Sequence, residues 1–173
     1  SASDGLILGT DATGSLITDL KKYLQYAQSL NIFVIISLWN GALMRNVNVI
    51  SLFTNDVKLK SFFENSLIPL VQGLADEPAL AMWEIINEAE GSVDVDADAG
   101  AVGTASEHED CFDITPLRDS GAGWANTNIK MKDILKFINL HSNIIHTIDP
   151  KALVTTGSWS ELSSTDVFPN SQN

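Results

Sequence analysis

The chain has 173 residues and a mass of 18.7 kDa, and its 45% hydrophobic and 18% charged composition is that of one globular domain, not a disordered segment. Its 22 acidic and 10 basic residues give a net charge of −12, which repels nucleic acid and anionic lipid and leaves a neutral polymer such as a polysaccharide admissible. A single cysteine, Cys111, excludes an internal disulfide framework and any zinc site built from several cysteines.

No apolar run approaches the roughly 20 residues that cross a bilayer. The stretch from Ser1 to Gly5 lacks both the basic and the apolar region of a signal peptide. In chain order, Ile17, Leu20, Tyr23, Leu24, Ala27 and Leu30 recur at three- and four-residue steps, the apolar face of a helix. The run from Ile32 to Leu38 is β-branched and apolar on both faces, as a buried parallel strand requires. A second helix is expected from caps at Thr54 or Asn55, with Leu59, Phe62, Phe63, Leu67 and Leu70 inward and a kink or break at Pro69.

A second strand follows from Leu80 to Ile86, and residues 89 to 123 read as one long loop rich in Gly, Asp and Ser. Asn126 or Thr127 is expected to cap a third helix that carries Ile129, Ile134, Leu135, Ile138 and Ile145 and stops at Asp149-Pro150. The third strand is Ala152 to Thr156. This alternation of helix and strand predicts an α/β fold with a parallel sheet and right-handed crossovers, whether doubly wound or closed into a barrel.

The segment Trp83-Glu84-Ile85-Ile86-Asn87-Glu88 carries the most chemistry. An apolar parallel strand ends there in Asn-Glu, and α/β proteins place their sites at the carboxyl ends of strands. Glycoside hydrolysis needs a carboxylic acid beside the glycosidic oxygen and a second carboxylate across the sugar. An amide next to the acid can bond the neighbouring ring hydroxyl, a bond that strengthens as positive charge builds on the ring. Read without further context, Asn87 and Glu88 equally open a polar loop.

WEIINEAEG, together with LWNGA at 38 to 42, SGAGWANTNIKMKDILKFINLHS at 120 to 142 and GSWSE at 157 to 161, resembles glycoside hydrolase family 5, and within it the animal β-1,4-mannanases. The likeness covers nearly the whole chain in order. It implies that residues 1 to 173 are part of a (β/α)8 TIM barrel catalytic domain, about strands three to five. It implies that Glu88 is the catalytic acid/base of a retaining reaction on mannan, glucomannan or galactomannan, and that Asn87 holds the sugar 2-hydroxyl. Trp39 and Asn40 at the first strand end, and Trp159 after the last strand, are the further substrate-binding residues expected from it. Family members usually carry proline where this chain has Ala89.

Trp83 and Trp124 are expected to pack, Glu84 to be a structural carboxylate inside the barrel, and His141 and His146 to be packing or helix-surface residues. Asp94-Val95-Asp96-Ala97-Asp98 fails as a calcium loop, because its sixth and twelfth places hold Ala99 and Ala105. His108 and Cys111 lack further ligands, so neither a metal nor a cofactor is expected. The strand-seven nucleophile implied by the resemblance is expected beyond Asn173, Glu161 is rejected in that role, and the 173 residues alone are expected to be an inactive internal fragment of a secreted enzyme. A β-1,4-glucanase of the same clan and a truncated carbohydrate-binding protein are the alternatives.

Overall fold

A computed structural model describes residues 6–9, 11–96 and 121–159. Its elements are α1 (Ser15–Ser29), β1 (Val34–Asn40), α2 (Val47–Thr54), α3 (Asp56–Phe62), α4 (Ile68–Leu74), β2 (Leu80–Asn87), α5 (Met131–Ile148) and β3 (Val154–Thr155). The strands form one parallel sheet in the order β1-β2-β3, so each neighbour is reached through a helical crossover.

Sequence patterning accounts for most of these elements. Helix α1 buries Leu24 and Ala27, and the carboxylate of Asp11, just ahead of it, accepts the amide hydrogens of Leu16 and Ile17 at 2.9 and 3.0 Å. Those bonds satisfy amides that the first turn leaves without partners, and they hold the Asp11 carboxyl below the ordinary carboxylate range. Asn55 caps α3 by accepting the Lys58 amide, as its sequence position suggested. Pro69 does not break the rod. Residues Phe63–Leu67 widen into a π turn ahead of it, which relieves the clash between a proline ring and the carbonyl four residues back.

Several boundaries differ from the sequence reading, among them the third strand, which pairs only over Val154–Thr155 where Ala152 to Thr156 was expected. Strand β1 starts at Val34 because its pairing begins there, with the Val34 amide bonded to the Ala79 carbonyl; Ile32 and Phe33 stay exposed before it. Helix α2, capped by Asn46, was not foreseen. Helix α5 begins at Met131, not at Asn126 or Thr127, because Asn126 and Asn128 take left-handed backbone (φ 55° and 52°) and Ile129 bridges to Val93.

The core lies between the sheet and its helices, where Trp83 and Ile85 of β2 pack with Leu24, Leu67, Leu74, Ile134 and Ile145. Ile35 and Ser37 on β1, and Leu153 just before β3, remain exposed. Across the strands Ser37 faces Glu84, and Glu84 faces Thr155, giving a polar row on that side. In a closed barrel the sheet face away from the helices is the packed interior.

Candidate active site

The carboxyl ends of β1 and β2 are in register, with Trp39 opposite Ile86 and Asn40 opposite Asn87. Immediately after Asn87, Glu88 takes a left-handed backbone (φ 50°, ψ 51°), which opens the short 3-10 turn Ala89–Ser92. A non-glycine residue held there stores roughly 1–3 kcal/mol of strain and persists only where its surroundings over-determine it. Three contacts do so. The Glu88 amide donates to the Gly157 carbonyl at 3.0 Å, the Glu88 carbonyl accepts from the Gly91 amide at 3.1 Å, and Gly41 lies against that same carbonyl. A side chain at Gly41 would overlap the Glu88 carbonyl oxygen and approach the Ala89 Cα at 2.8 Å. The buried Ser92 hydroxyl fixes Gly41 by donating to its carbonyl at 2.7 Å.

Ala89 fits this backbone better than proline would, since proline pushes the residue before it toward extended conformations. Gly157 plays the second glycine role. Its amide donates to the Ile86 carbonyl at 3.0 Å, and a Cβ on it would overlap Glu84 Oε1 and stand 2.5 Å from Asn87 Oδ1. Bare backbone at 157 thus makes room for both side chains. Neither Asn87 nor Glu88 makes a side-chain hydrogen bond among the described residues.

Glu90 is 5% exposed, and its Oε1 accepts the Trp159 amide at 2.6 Å and the Ser158 hydroxyl at 2.9 Å. Its backbone carbonyl accepts the Gly123 amide at 2.9 Å. The Trp124 ring covers Gly91, which has no room for a Cβ, and meets Trp159 edge-on with centroids 5.4 Å apart. Trp159 is half exposed. Nothing in the sequence singled out Glu90, Gly41 or Gly157; glycines directly after strand ends were the available signal, since they mark close backbone approach.

The expected binding residues divide. Trp159 lies two residues after Gly157, whose carbonyl accepts the Glu88 amide, and its own amide donates to Glu90. Asn40 lies next to Asn87, but its amide oxygen caps the turn Gly41–Leu43 by accepting the Ala42 amide at 3.1 Å. Trp39 goes elsewhere: its ring lies against Phe62 and Phe137, 5.0 and 5.8 Å between centroids, and its indole N–H donates to His141 Nε2 at 3.0 Å. The indole is thus engaged in an aromatic cluster, the packing reading that the sequence left beside the sugar platform expected there.

His141 is fully buried, and its Nδ1–H donates to the Phe137 carbonyl at 2.8 Å, which leaves Nε2 as the acceptor for Trp39. Burial pushes its pKa down to about 4, against a smaller opposing effect of the Phe137 carbonyl. His146 is exposed and bonds the Ala152 carbonyl. Among the described residues no three His, Cys, Asp or Glu side chains gather to hold a metal ion. The readings of Asp98, His108, Cys111 and Glu161 lie outside the described residues.

No family model matches the chain. It is 45% identical over 166 residues to the mannan endo-1,4-beta-mannosidase of Cryptopygus antarcticus, a match covering 96% of this chain and 41% of that protein. It is 36% identical over 168 residues to the protein of the same name from Mytilus edulis, covering 96% of this chain and 43% of the relative. The crystal structure of the beta-1,4-D-mannanase from Cryptopygus antarcticus superposes with a TM-score of 0.84 at 44% identity, over 96% of this chain and 43% of that one. The chain therefore spans about two-fifths of the length of these relatives. Its three parallel strands and their helices are part of a β/α barrel of that kind.

Proposed function

We propose that the chain, a homologue of part of the animal β-mannanases, supplies the acid/base side of an endo-acting, retaining site for β-1,4-mannan. The observation that carries this reading is Glu88 at the end of a buried parallel strand, in a left-handed backbone fixed from both neighbouring strand ends, with its carboxylate free of partners among the described residues. A carboxyl held so firmly yet left unpartnered is suited to proton transfer, which requires fixed geometry toward the substrate.

In the proposed reaction Glu88 first donates its proton to the leaving glycosidic oxygen. It then takes a proton from the water that hydrolyses the glycosyl-enzyme. Asn87, set by Gly157, holds the ring hydroxyl beside the reacting carbon, and that bond tightens as the ring gains positive charge. Trp159 offers a ring face to a sugar, and Asn40 flanks the amide of Asn87. The nucleophile is contributed from outside the described residues: Glu84 Oε1 lies against Gly157, and the Glu90 carboxylate is bound to Ser158 and Trp159. Because a polysaccharide is met outside cells, the reading places the protein there.

Glu88→Gln in the protein at its natural length tests the assignment. Hydrolysis of galactomannan should fall by at least about a thousandfold while mannohexaose still binds within about threefold of wild type. A variant that keeps most of its turnover removes Glu88 from the catalytic pair. Parallel rates on glucomannan and carboxymethylcellulose separate mannan from glucan preference.

A further inference from the structure

We propose that Glu90 is a positioning residue, whose buried carboxylate holds the Trp159 indole as a sugar platform at a set distance from Glu88; this rests on the mannanase reading above. A carboxylate withdrawn from water must find hydrogen-bond donors, or its burial opposes folding. Glu90 finds two of them 68 and 69 residues along the chain, both on the same oxygen, the Ser158 hydroxyl and the Trp159 backbone amide. One partner that it fixes is thus the peptide of a half-exposed tryptophan four residues after β3. An amide bonded to a charged acceptor makes a stronger hydrogen bond than one between neutral groups.

The backbone of Glu90 ties in the other side of the platform. Its carbonyl binds the Gly123 amide, next to Trp124, and the Ala125 amide binds Gly91. Trp124 lies over Gly91 and meets Trp159 at 84° between ring planes, so Trp159 is held through its ring and its backbone while half of the residue stays exposed. An immobilised aromatic face loses little further freedom when a sugar stacks on it, so the gain is in binding. Glu90 also sits two residues after Glu88 in the turn that carries the acid/base. One side chain therefore sets the platform and the proton donor relative to each other.

The test is steady-state hydrolysis of mannohexaose by the protein at its natural length, as wild type, Glu90→Ala, Glu90→Asp, Glu90→Gln, Trp159→Ala and the double variant Glu90→Ala with Trp159→Ala. Glu90→Ala should raise KM about five- to tenfold and leave kcat within about twofold. Glu90→Gln keeps an oxygen within reach of the Trp159 amide and should stay within about twofold of the wild-type KM. Glu90→Asp keeps the charge but withdraws it by one methylene, and its KM should rise. The double variant should be no worse than the poorer single one, because both changes remove the same platform. If Glu90→Ala does not fold, the order of the Asp and Gln variants decides, and a better KM for Asp than for Gln overturns the proposal. Unmoved KM values in Glu90→Ala and Glu90→Asp, or additive effects in the double variant, overturn it as well. A wild type that leaves mannohexaose intact overturns the mannanase reading and this proposal together, whereas wild-type turnover with unmoved KM values in the variants overturns this proposal alone.

Discussion

Strands β1 and β2 end side by side, in register, and each ends with an apolar residue followed by asparagine. Their ends nevertheless serve different purposes. At β1 the tryptophan turns into an aromatic cluster and the asparagine caps the next turn, so the chain continues along a low-strain path. At β2 Ile86 is buried, Asn87 keeps its side-chain amide out of hydrogen bonds among the described residues, and the following residue takes a left-handed backbone that glycines at 41 and 157 accommodate. Similar residue types at matched positions thus yield a structural end and the end proposed here as chemical. What separates them is the backbone of the next residue and the space that neighbouring strands leave for it.

The comparison breaks most visibly at its tryptophan. Trp39→Ala should cost about 3 kcal/mol or more of stability, because it empties a space between Phe62, Phe137 and His141 and leaves the buried His141 Nε2 without its donor. It should leave mannooligosaccharide affinity in the surviving folded fraction within about twofold. Asn87→Ala should behave oppositely, lowering kcat with little change in the urea midpoint. Weakened sugar binding in a stable Trp39→Ala protein would return Trp39 to the site.

Acid sharpens the same contrast. The folded-state pKa of His141 is pushed down to about 4 from an ordinary 6.5, so between those values the unfolded chain binds a proton that the folded one refuses. The corresponding stability is complete above about pH 6.5, falls as pH drops toward 4, and is lost below it. Its size is about 3 kcal/mol, at roughly 1.4 kcal/mol per unit. Protonation would also turn Nε2 from an acceptor into a donor facing the Trp39 N–H. Urea unfolding at pH 7 and pH 4 should show that loss in the wild type, and His141→Gln, which stays neutral at either pH, should lack that share. Equal slopes in the two proteins would disprove the assignment.

Much of the strand end proposed as chemical was legible in the sequence as structure, and much of the structural end was not. Strand β2 could be read because it is a mostly apolar run, Glu84 apart, that breaks abruptly into Asn-Glu. Helix α5 could be read from its periodicity, although its start was misplaced: Asn126 and Asn128 have the composition of caps but adopt left-handed turns. Helix α2 was missed because Val47, Val49 and Ile50 are β-branched and favour no helix by themselves; its Asn46 cap and the burial of Leu52 and Phe53 make it one. Glu90 was invisible because a glutamate beside glycine reads as surface, and the donors that bury it lie far along the chain. The His141 contact of Trp39 was not legible because a tryptophan at a strand end has the same sequence signature whether it meets a sugar or a histidine on a later helix.

The finest test sets the two glycines against each other. At Gly41 a new methyl group would meet backbone, the Glu88 carbonyl and the Ala89 Cα, and backbone cannot move aside cheaply. At Gly157 the same methyl group would meet the ends of two side chains, Glu84 Oε1 and Asn87 Oδ1, before any backbone except the Asn87 Cα at 3.3 Å. No left-handed backbone is required at 157, so only space is at issue. Gly157→Ala should therefore change stability by no more than about 1 kcal/mol, since the two carboxamide and carboxylate ends can rotate away. That rotation displaces the Asn87 amide from the position proposed for the ring hydroxyl, and kcat should drop about tenfold with KM little changed, a loss of about 1.4 kcal/mol in transition-state stabilisation. Gly41→Ala should lose stability at the urea midpoint first. If Gly157→Ala instead kept full kcat, the position of Asn87 would not matter to the reaction, and the chemical end of the sheet would shrink to Glu88 alone.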